Sequence, residues 1–506
     1  MGTTKPFPIH SSAGVRRDGT QLDGTEHVAA LWTRWYRSRP RKMQGYQAVT
    51  STLPEVVRGM NSYTADAVNF LSMGGATTLT QVQTDQSGVF GGQNDRTPGA
   101  LVASPDNLWQ MDTFISAVGG PNSLVAHAAP NLSDIASTQE RSIWAGDVTG
   151  VAALTAVGMD PNSGGIVAIY PYLFGYGNSG RVDVSNVNDY STNDSAYVTG
   201  QKIVRGMRLR GGGGGPAGLF WSLDSLVRAT FNAAILTGIP FDFDIITDDT
   251  SILSSQGVLE YDGIYYWMGT DRFLMFNGVV REVPNTMNLD FFFDNLNFTW
   301  RQKAFVYKVP RRGEIWFCAP LGNATECNHA IVLNVRENCW YDTPLPDSGR
   351  STGYSPRVYN KPWMTDLDLT STGYTLWQHE TGLDKVSLSQ TVAIKASFTT
   401  SEINSFDWPQ DTGKALRLDF IEPDFVQAGP MTVQVLGRTN ARSNDYTDVT
   451  VTFQEDGTGS PQQQALPFKV NARLLRFTFE SNSVGGDFYM GKTVGHIETT
   501  DGRFTQ

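Results

Sequence analysis

The sequence predicts an all-β protein: a β-propeller-like body of short antiparallel meanders with a C-terminal β-sandwich domain. Three observations predict it. Residues 258–283 read as four short strands, with Asp262-Gly263, Gly269-Thr270-Asp271 and Asn277-Gly278 between them. Asp-Gly and Asn-Gly accept positive φ, which matches the twist of a two-residue hairpin, so the stretch has the size of one propeller blade. Turn residues then recur at spacings of roughly 8–12 residues across 50–390, the rhythm of short strands and not of strand–helix–strand units. Finally, 51 of 506 residues are Gly and only 18% are charged, which argues against long charged helices and coiled coils.

Taken in order, residues 1–50 are polar and are expected to form an extended N-terminal arm. The arm carries Arg34, Arg37, Arg39, Arg41 and Lys42, interleaved with Trp32, Trp35 and Tyr36. Arg and Trp are interface-prone residues, and the rest of the chain is acidic, so Trp32, Arg34, Trp35, Arg37, Arg39, Arg41 and Lys42 are expected to dock another subunit or an adaptor. The bland alternative is a solvated arm paired with the chain's own carboxylates.

Residues 51–390 are expected to form the propeller body. Besides 258–283, residues 301–341 give strands at Ala304–Val309, Glu314–Ala319, Ala330–Val335 and Cys339–Tyr341, and 143–190 repeat the rhythm with Gly-rich breaks at 163–165 and 178–180. A recurring Trp-x-x-Asp string (Trp109/Asp112, Trp221/Asp224, Trp363/Asp366) supports about six blades, with Trp as an anchor between blades and Asp at a turn. Radial repetition of this kind protects sheet edges. Two helices are expected, one over Asn285–Lys303 and a weaker one over Leu223–Ala234. Gly211–Gly215 with Pro216 reads as a flexible loop tip, too short to link domains. From 391 to 506 a second set of alternating strands, at Ala393–Phe398, Leu416–Ile421, Met431–Leu436, Asp448–Phe453, Arg473–Glu480 and Phe488–Lys492, reads as the sandwich, with polar turns such as 457–461.

Charge narrows the function classes. With 39 Lys and Arg against 50 Asp and Glu, the net charge is -11. A protein that grips nucleic acid over its whole surface needs a cationic excess, so that role is not expected. Three cysteines, Cys318, Cys327 and Cys339, cannot all pair, which fits free thiols in a chain made in the cytoplasm. No secretory signal or membrane-spanning segment is expected, and the myristoylation pattern fails at Pro6.

Catalytic signatures are weak. Gly486–Thr493 matches the phosphate-loop pattern letter for letter, but no helix is expected after it. The Cys spacings, with His329 nearby, do not suit structural zinc. No Gly-x-Ser-x-Gly or His-Glu-x-x-His string occurs. Ser104–Trp109 only partly resembles a sialidase box. The carboxylate pairs Asp242/Asp244 and Asp248/Asp249 read as turn or solvent groups rather than a glycosidase pair. No catalytic residue, metal or cofactor is expected.

Arg17-Asp18-Gly19-Thr20, Arg39-Pro40-Arg41-Lys42-Met43 with Gly45-Tyr46, and the run from Thr250 through Tyr261-Asp262-Gly263, Asp271–Gly278 and Val283-Pro284-Asn285 to Phe292–Asn297 resemble the tail nozzle or hub proteins of short-tailed bacteriophages, also called packaged-DNA stabilisation proteins. The resemblance spans roughly residues 15–385 and does not reach the C-terminal region. It implies a virion tail component, made in the host cytoplasm, with a propeller body. It further implies a homo-oligomer, a hexameric ring below the portal and adaptor proteins with tail needle or fibre proteins nearby. Genomic DNA would be retained by the ring and pass through its lumen without sequence-specific binding. An acidic wall would let phosphates slide. The alternative expectation is a β-propeller that binds or hydrolyses glycans of the host surface.

Overall fold

The computed structural model describes residues 5–500 apart from 21, 23, 66, 86–87, 100, 102, 106, 118–119, 130–142, 161, 211–214, 357, 407–411, 445 and 455–465. Most of the pentaglycine run, the 457–461 turn and Asp106 therefore lie outside the described residues.

Short strands in antiparallel order form seven blades. The first is Met60–Ala65, Val68–Gly74, Leu79–Thr84 and Phe90–Asp95; the second Leu108–Ser116, Gly120–Ala129, Ile143–Asp147 and Thr155–Ala156. The third is Gly165–Ile169, Tyr172–Tyr176, Arg181–Asn186 and Asp189–Tyr197; the fourth Ile203–Arg208, Ala217–Ser222, Leu226–Phe231 and Phe241–Thr247. The fifth is Val258–Tyr261, Ile264–Met268, Phe273–Phe276 and Val280–Glu282, with Asp262 at φ 50° and Gly263 at 83° in its first turn, as the Asp-Gly pair predicts. The sixth is Phe305–Val309, Glu314–Ala319, His329–Asn334 and Cys339–Pro344.

The seventh blade takes three strands, Thr352–Tyr354, Trp363–Thr365 and Tyr374–His379, from the end of the body and its outer strand, Tyr46–Leu53, from the N-terminal region. His379 pairs with Tyr46 and Trp377 with Ala48. This strap closes the ring by tying the N-terminal region into its last blade. At the axis the closure is completed by the Tyr354 hydroxyl, which donates to the Asn61 side chain over 3.1 Å and accepts from the Ser62 N–H over 3.4 Å.

Every pair of neighbouring blades encloses its own apolar core. Trp109 and Trp144 fill the space between blades one and two with Tyr63, Phe70 and Leu79. Trp221 meets Trp267 at 5.7 Å between blades four and five. Trp363 packs with Tyr359 and Leu71 between blades seven and one. The Trp-x-x-Asp residues are thus inter-blade anchors, but not three equivalent ones. Trp221 and Trp363 lie on second strands, whereas Trp109 and Asp112 lie on an inner strand, where Asp112 accepts from the Ala168 N–H of the next blade.

The sandwich has two sheets. One orders Leu466–Ala472, Ala415–Ala428 and Asp487–Thr500; the other orders Ala396–Thr399, Leu474–Ser481, Met431–Arg438 and Tyr446–Phe453. Strict alternation of buried and exposed residues along Leu466–Ala472 is the mark of a sheet with one face inward.

The extended arm expected of residues 1–50 is corrected by this structure. Lys5–Ile9 pairs with Asp487–Thr500, Ala29–Leu31 with Ala396–Thr399, and the hairpin Thr33–Tyr36/Arg39–Lys42 joins the first sheet through Arg41 and Tyr489. Apolar residues at 9, 15, 30, 32, 35 and 43 are buried, so these segments gain more by packing than by solvation. The core between blades six and seven runs on through Trp32 and Trp35 into the sandwich without a break.

Both helix expectations are also corrected. Asn285–Lys303 holds only Leu289–Asn295 as α-helix and Phe298–Lys303 as 3-10 helix. Leu223–Ala234 contains the strand Leu226–Phe231, where Val and Thr favour the pleated conformation. The 143–190 unit spans two blades: 143–156 completes the second and 165–197 is the third.

Candidate functional site

The residues expected to dock a partner are mostly engaged within the chain. Arg34 is 1% exposed and forms a two-pronged ion pair with Glu380 at 2.5 and 2.7 Å, while its Nε lies 3.0 Å from the Glu314 carboxylate. Burial works against its charge, but Glu314 and Glu380 outweigh that and hold the guanidinium firmly protonated. Burial also pushes the Glu314 carboxyl up, against the pull of Arg34. Trp32 donates from its ring to the Gln44 carbonyl over 3.1 Å and lies edge-on to Trp316. Trp35 packs between His27 and Tyr341. The buried Lys42 ammonium donates to the Gly486 carbonyl over 2.7 Å.

Docking by Trp32, Arg34, Trp35 and Lys42 is therefore corrected: these side chains join the sandwich to blades six and seven. Arg39 and Arg41 are half-buried on the same hairpin, and Arg37 is exposed at its tip. There the Arg37 and Ser38 N–H groups donate to Glu337 of blade six over 2.8 and 2.9 Å.

The residues that carry the phage-tail resemblance near the start also act as pins. Arg17 forks onto the buried Asp342 at 3.0 and 2.9 Å. Asp18 accepts from the Asp290 and Phe291 N–H groups over 3.0 and 2.8 Å, which caps the helix Leu289–Asn295.

The chemical look-alikes fall in unremarkable places. Gly486–Thr493 runs into the strand Asp487–Thr500, not into a helix. Cys318, Cys327 and Cys339 are buried in apolar packing, and burial pushes each thiol up. Among the described residues no group of three or more His, Cys, Asp or Glu side chains converges on a point that suits a metal. Asp242 and Asp244 stand on the outer strand of blade four, where Asp244 pairs with the exposed Arg228 at 3.0 Å. They face the rim and not the axis.

At the axis lies a cavity of about 320 Å³, lined from the inner strands of six blades. Ser62, Gln256, Thr352 and Tyr354 give it polar groups, Met60, Met111 and Met207 give it apolar walls, and Arg205, Glu260 and Lys308 bring charge. Arg208 and Arg210, close by along the chain, are each held by a carboxylate, Asp112 at 3.2 Å and Glu260 at 3.5 Å. Lys308 stands 3.7 Å from Glu260 and also donates to its carbonyl. Arg205 makes no ion pair among the described residues, and its Nε is withdrawn from solvent without a hydrogen-bond acceptor.

Sequence reasoning missed Arg205, Lys308 and Tyr354. The alternation Arg205-Gly206-Met207-Arg208 before a glycine run was the visible signal, but nothing local says that its strand faces an axis.

Fold and site together define a seven-bladed propeller that carries a sandwich at its rim and a cationic cavity at its centre. No protein-family model matches this chain, and no curated protein matches it.

Proposed function

We propose that this chain is a structural virion protein, a tail nozzle or hub subunit of a short-tailed bacteriophage. In this reading a ring of six copies extends the DNA channel below the portal–adaptor complex, retains the packaged genome and lets it pass at ejection. The sequence resemblance over residues 15–385 motivates the reading, and the acidic balance of the chain suits a conduit that must not hold phosphates.

The observation that carries it is an arc of apolar side chains on one face of the propeller. Val89, Val151, Tyr170, Val187, Leu236 and Val279 stand exposed in the turns that follow the first or third strands of blades one to five. Those turns all emerge on the same side of an up-and-down meander. Leu236 is 91% exposed. Turn tips favour Gly, Asn, Asp and Ser, so a row of large apolar tips suits a face covered by a neighbouring copy. A closed ring needs one such patch meeting a different patch on the next copy. The axial cavity holds a small molecule at most, so the DNA lumen of this reading lies between copies, not through one propeller.

Sedimentation and negative-stain imaging of the purified protein test this, with six subunits around one axis as the expected result. Leu236→Asp with Val151→Asp is expected to yield monomers that keep their circular dichroism. A wild-type chain that stays monomeric at high concentration and in isolated particles would overturn the reading.

A further inference from the structure

We infer that the axial cavity is a binding site for a small organic monocarboxylate, up to about the size of one sugar acid. The inference goes beyond the nozzle reading and does not depend on it.

The charge inventory points to an anion. Arg205 and Lys308 bring two positive charges to the cavity wall and Glu260 brings one negative charge. Lys308 is turned toward Glu260, whose carboxylate also faces Arg210. The guanidinium of Arg205 is left over. Arg205 is half-buried and has no carboxylate partner among the described residues, and an anion in the cavity would supply one. With Arg210 also on Glu260, three cations stand against one carboxylate, so the choice of a carboxylate rests on shape and on the apolar wall, which inorganic phosphate cannot use.

Shape and polarity agree. A guanidinium offers a planar fork that fits the two oxygens of a carboxylate. At about 320 Å³ the cavity lies at the lower end of small-molecule sites. Thr352 donates to the Gln256 side chain over 2.9 Å and Gln256 donates to the Arg58 carbonyl, so the polar lining is largely satisfied and leaves the ligand's charge to Arg205, while Met207 and its neighbours cover a carbon skeleton.

Calorimetric titration of the full-length protein tests this with sodium glucuronate, with glucose as the neutral probe and inorganic phosphate as the second anion. The expected result is saturable glucuronate binding, no saturable glucose binding and weaker phosphate binding. Arg205→Gln is expected to weaken glucuronate at least tenfold. Arg205→Lys, which keeps the charge and loses the fork, is expected to fall between the two. Absence of saturable glucuronate binding by the wild-type chain overturns the site. Equal affinity in Arg205→Gln overturns the role of Arg205, and tighter binding of phosphate than of glucuronate overturns the ligand class. Each outcome is read independently of ring formation.

Discussion

The guanidinium of Arg34, on a hairpin near the start of the chain, lies 3.0 Å from the carboxylate of Glu314 on the second strand of blade six, and both side chains are almost wholly withdrawn from solvent. With Glu380 of blade seven as the second acceptor, one cation ties three segments together. Arg34→Met leaves the buried Glu314 with no cation and with the Trp316 ring N–H as donor, and leaves Glu380 with Arg312 at 4.0 Å. The expected loss is about 3–5 kcal/mol, the cost of breaking a buried pair from one side. Denaturant unfolding measures it, and a triple change that also makes Glu314 and Glu380 apolar is expected to recover part of the loss.

Acid should loosen the same region. Burial pushes the His27 imidazole down to about 4. Burial, and then the nearby Arg350, push His379 well below its ordinary value. In the unfolded chain both titrate near 6.5. Between about pH 6.5 and 4 the unfolded state therefore binds more protons, so stability rises with pH through that window and falls on acidification. From pH 7.5 to 5 the His27 share of the loss is about 2 kcal/mol. Denaturant midpoints at the two pH values check this, and His27→Asn should lose less on acidification than wild type.

Closure of the ring rests on the strand Tyr46–Leu53, and its two faces should respond differently to charge. Ala48 is buried opposite Trp377, while the adjacent Gln47 is exposed. Ala48→Asp buries an unpaired carboxylate and should cost more than about 4 kcal/mol, whereas Gln47→Asp should stay within about 0.5 kcal/mol of wild type. Thermal unfolding of the two variants separates them.

The thiols should be silent until the chain opens. Cys318, Cys327 and Cys339 are buried, and burial disfavours the thiolate that reacts. Ellman's reagent is expected to report no fast-reacting thiol among these residues in the native protein and three after denaturation. A fast native reaction would mean that the core between blades six and seven opens readily.

The sequence made blades five and six legible because their turns are tight and carry their own chemistry, as Asp262-Gly263 does. Blade seven was hidden because its outer strand, Tyr46–Leu53, lies more than 300 residues before its partner, Tyr374–His379. Periodicity is a local signal and cannot report such a pairing. The basic cluster misled for the same reason. Arginines are rarely buried unless paired, and the carboxylates that pair with Arg34 stand at positions 314 and 380. Over Leu223–Ala234, apolar residues at 223, 226, 227 and 229 imitate helical spacing, but Leu226–Phe231 is the third strand of its blade. In the sandwich most strands were visible, yet Leu466–Ala472 was missed beside the polar stretch that precedes it. At the axis, nothing in the order of residues says that Arg205, Lys308 and Tyr354 share one space.

The strand Tyr46–Leu53 can settle only beside Tyr374–His379, and Lys5–Ile9 only beside Asp487–Thr500. A ribosome adding about 5–20 residues per second delivers those later partners tens of seconds after the earlier ones. For that interval the first segments, with Trp32 and Trp35 among them, must wait in the open, and the last blade and the sandwich can assemble only once residues 374–500 have been made. Expression of this protein should therefore depend more on slowed synthesis, lowered temperature or holding chaperones than its finished architecture suggests.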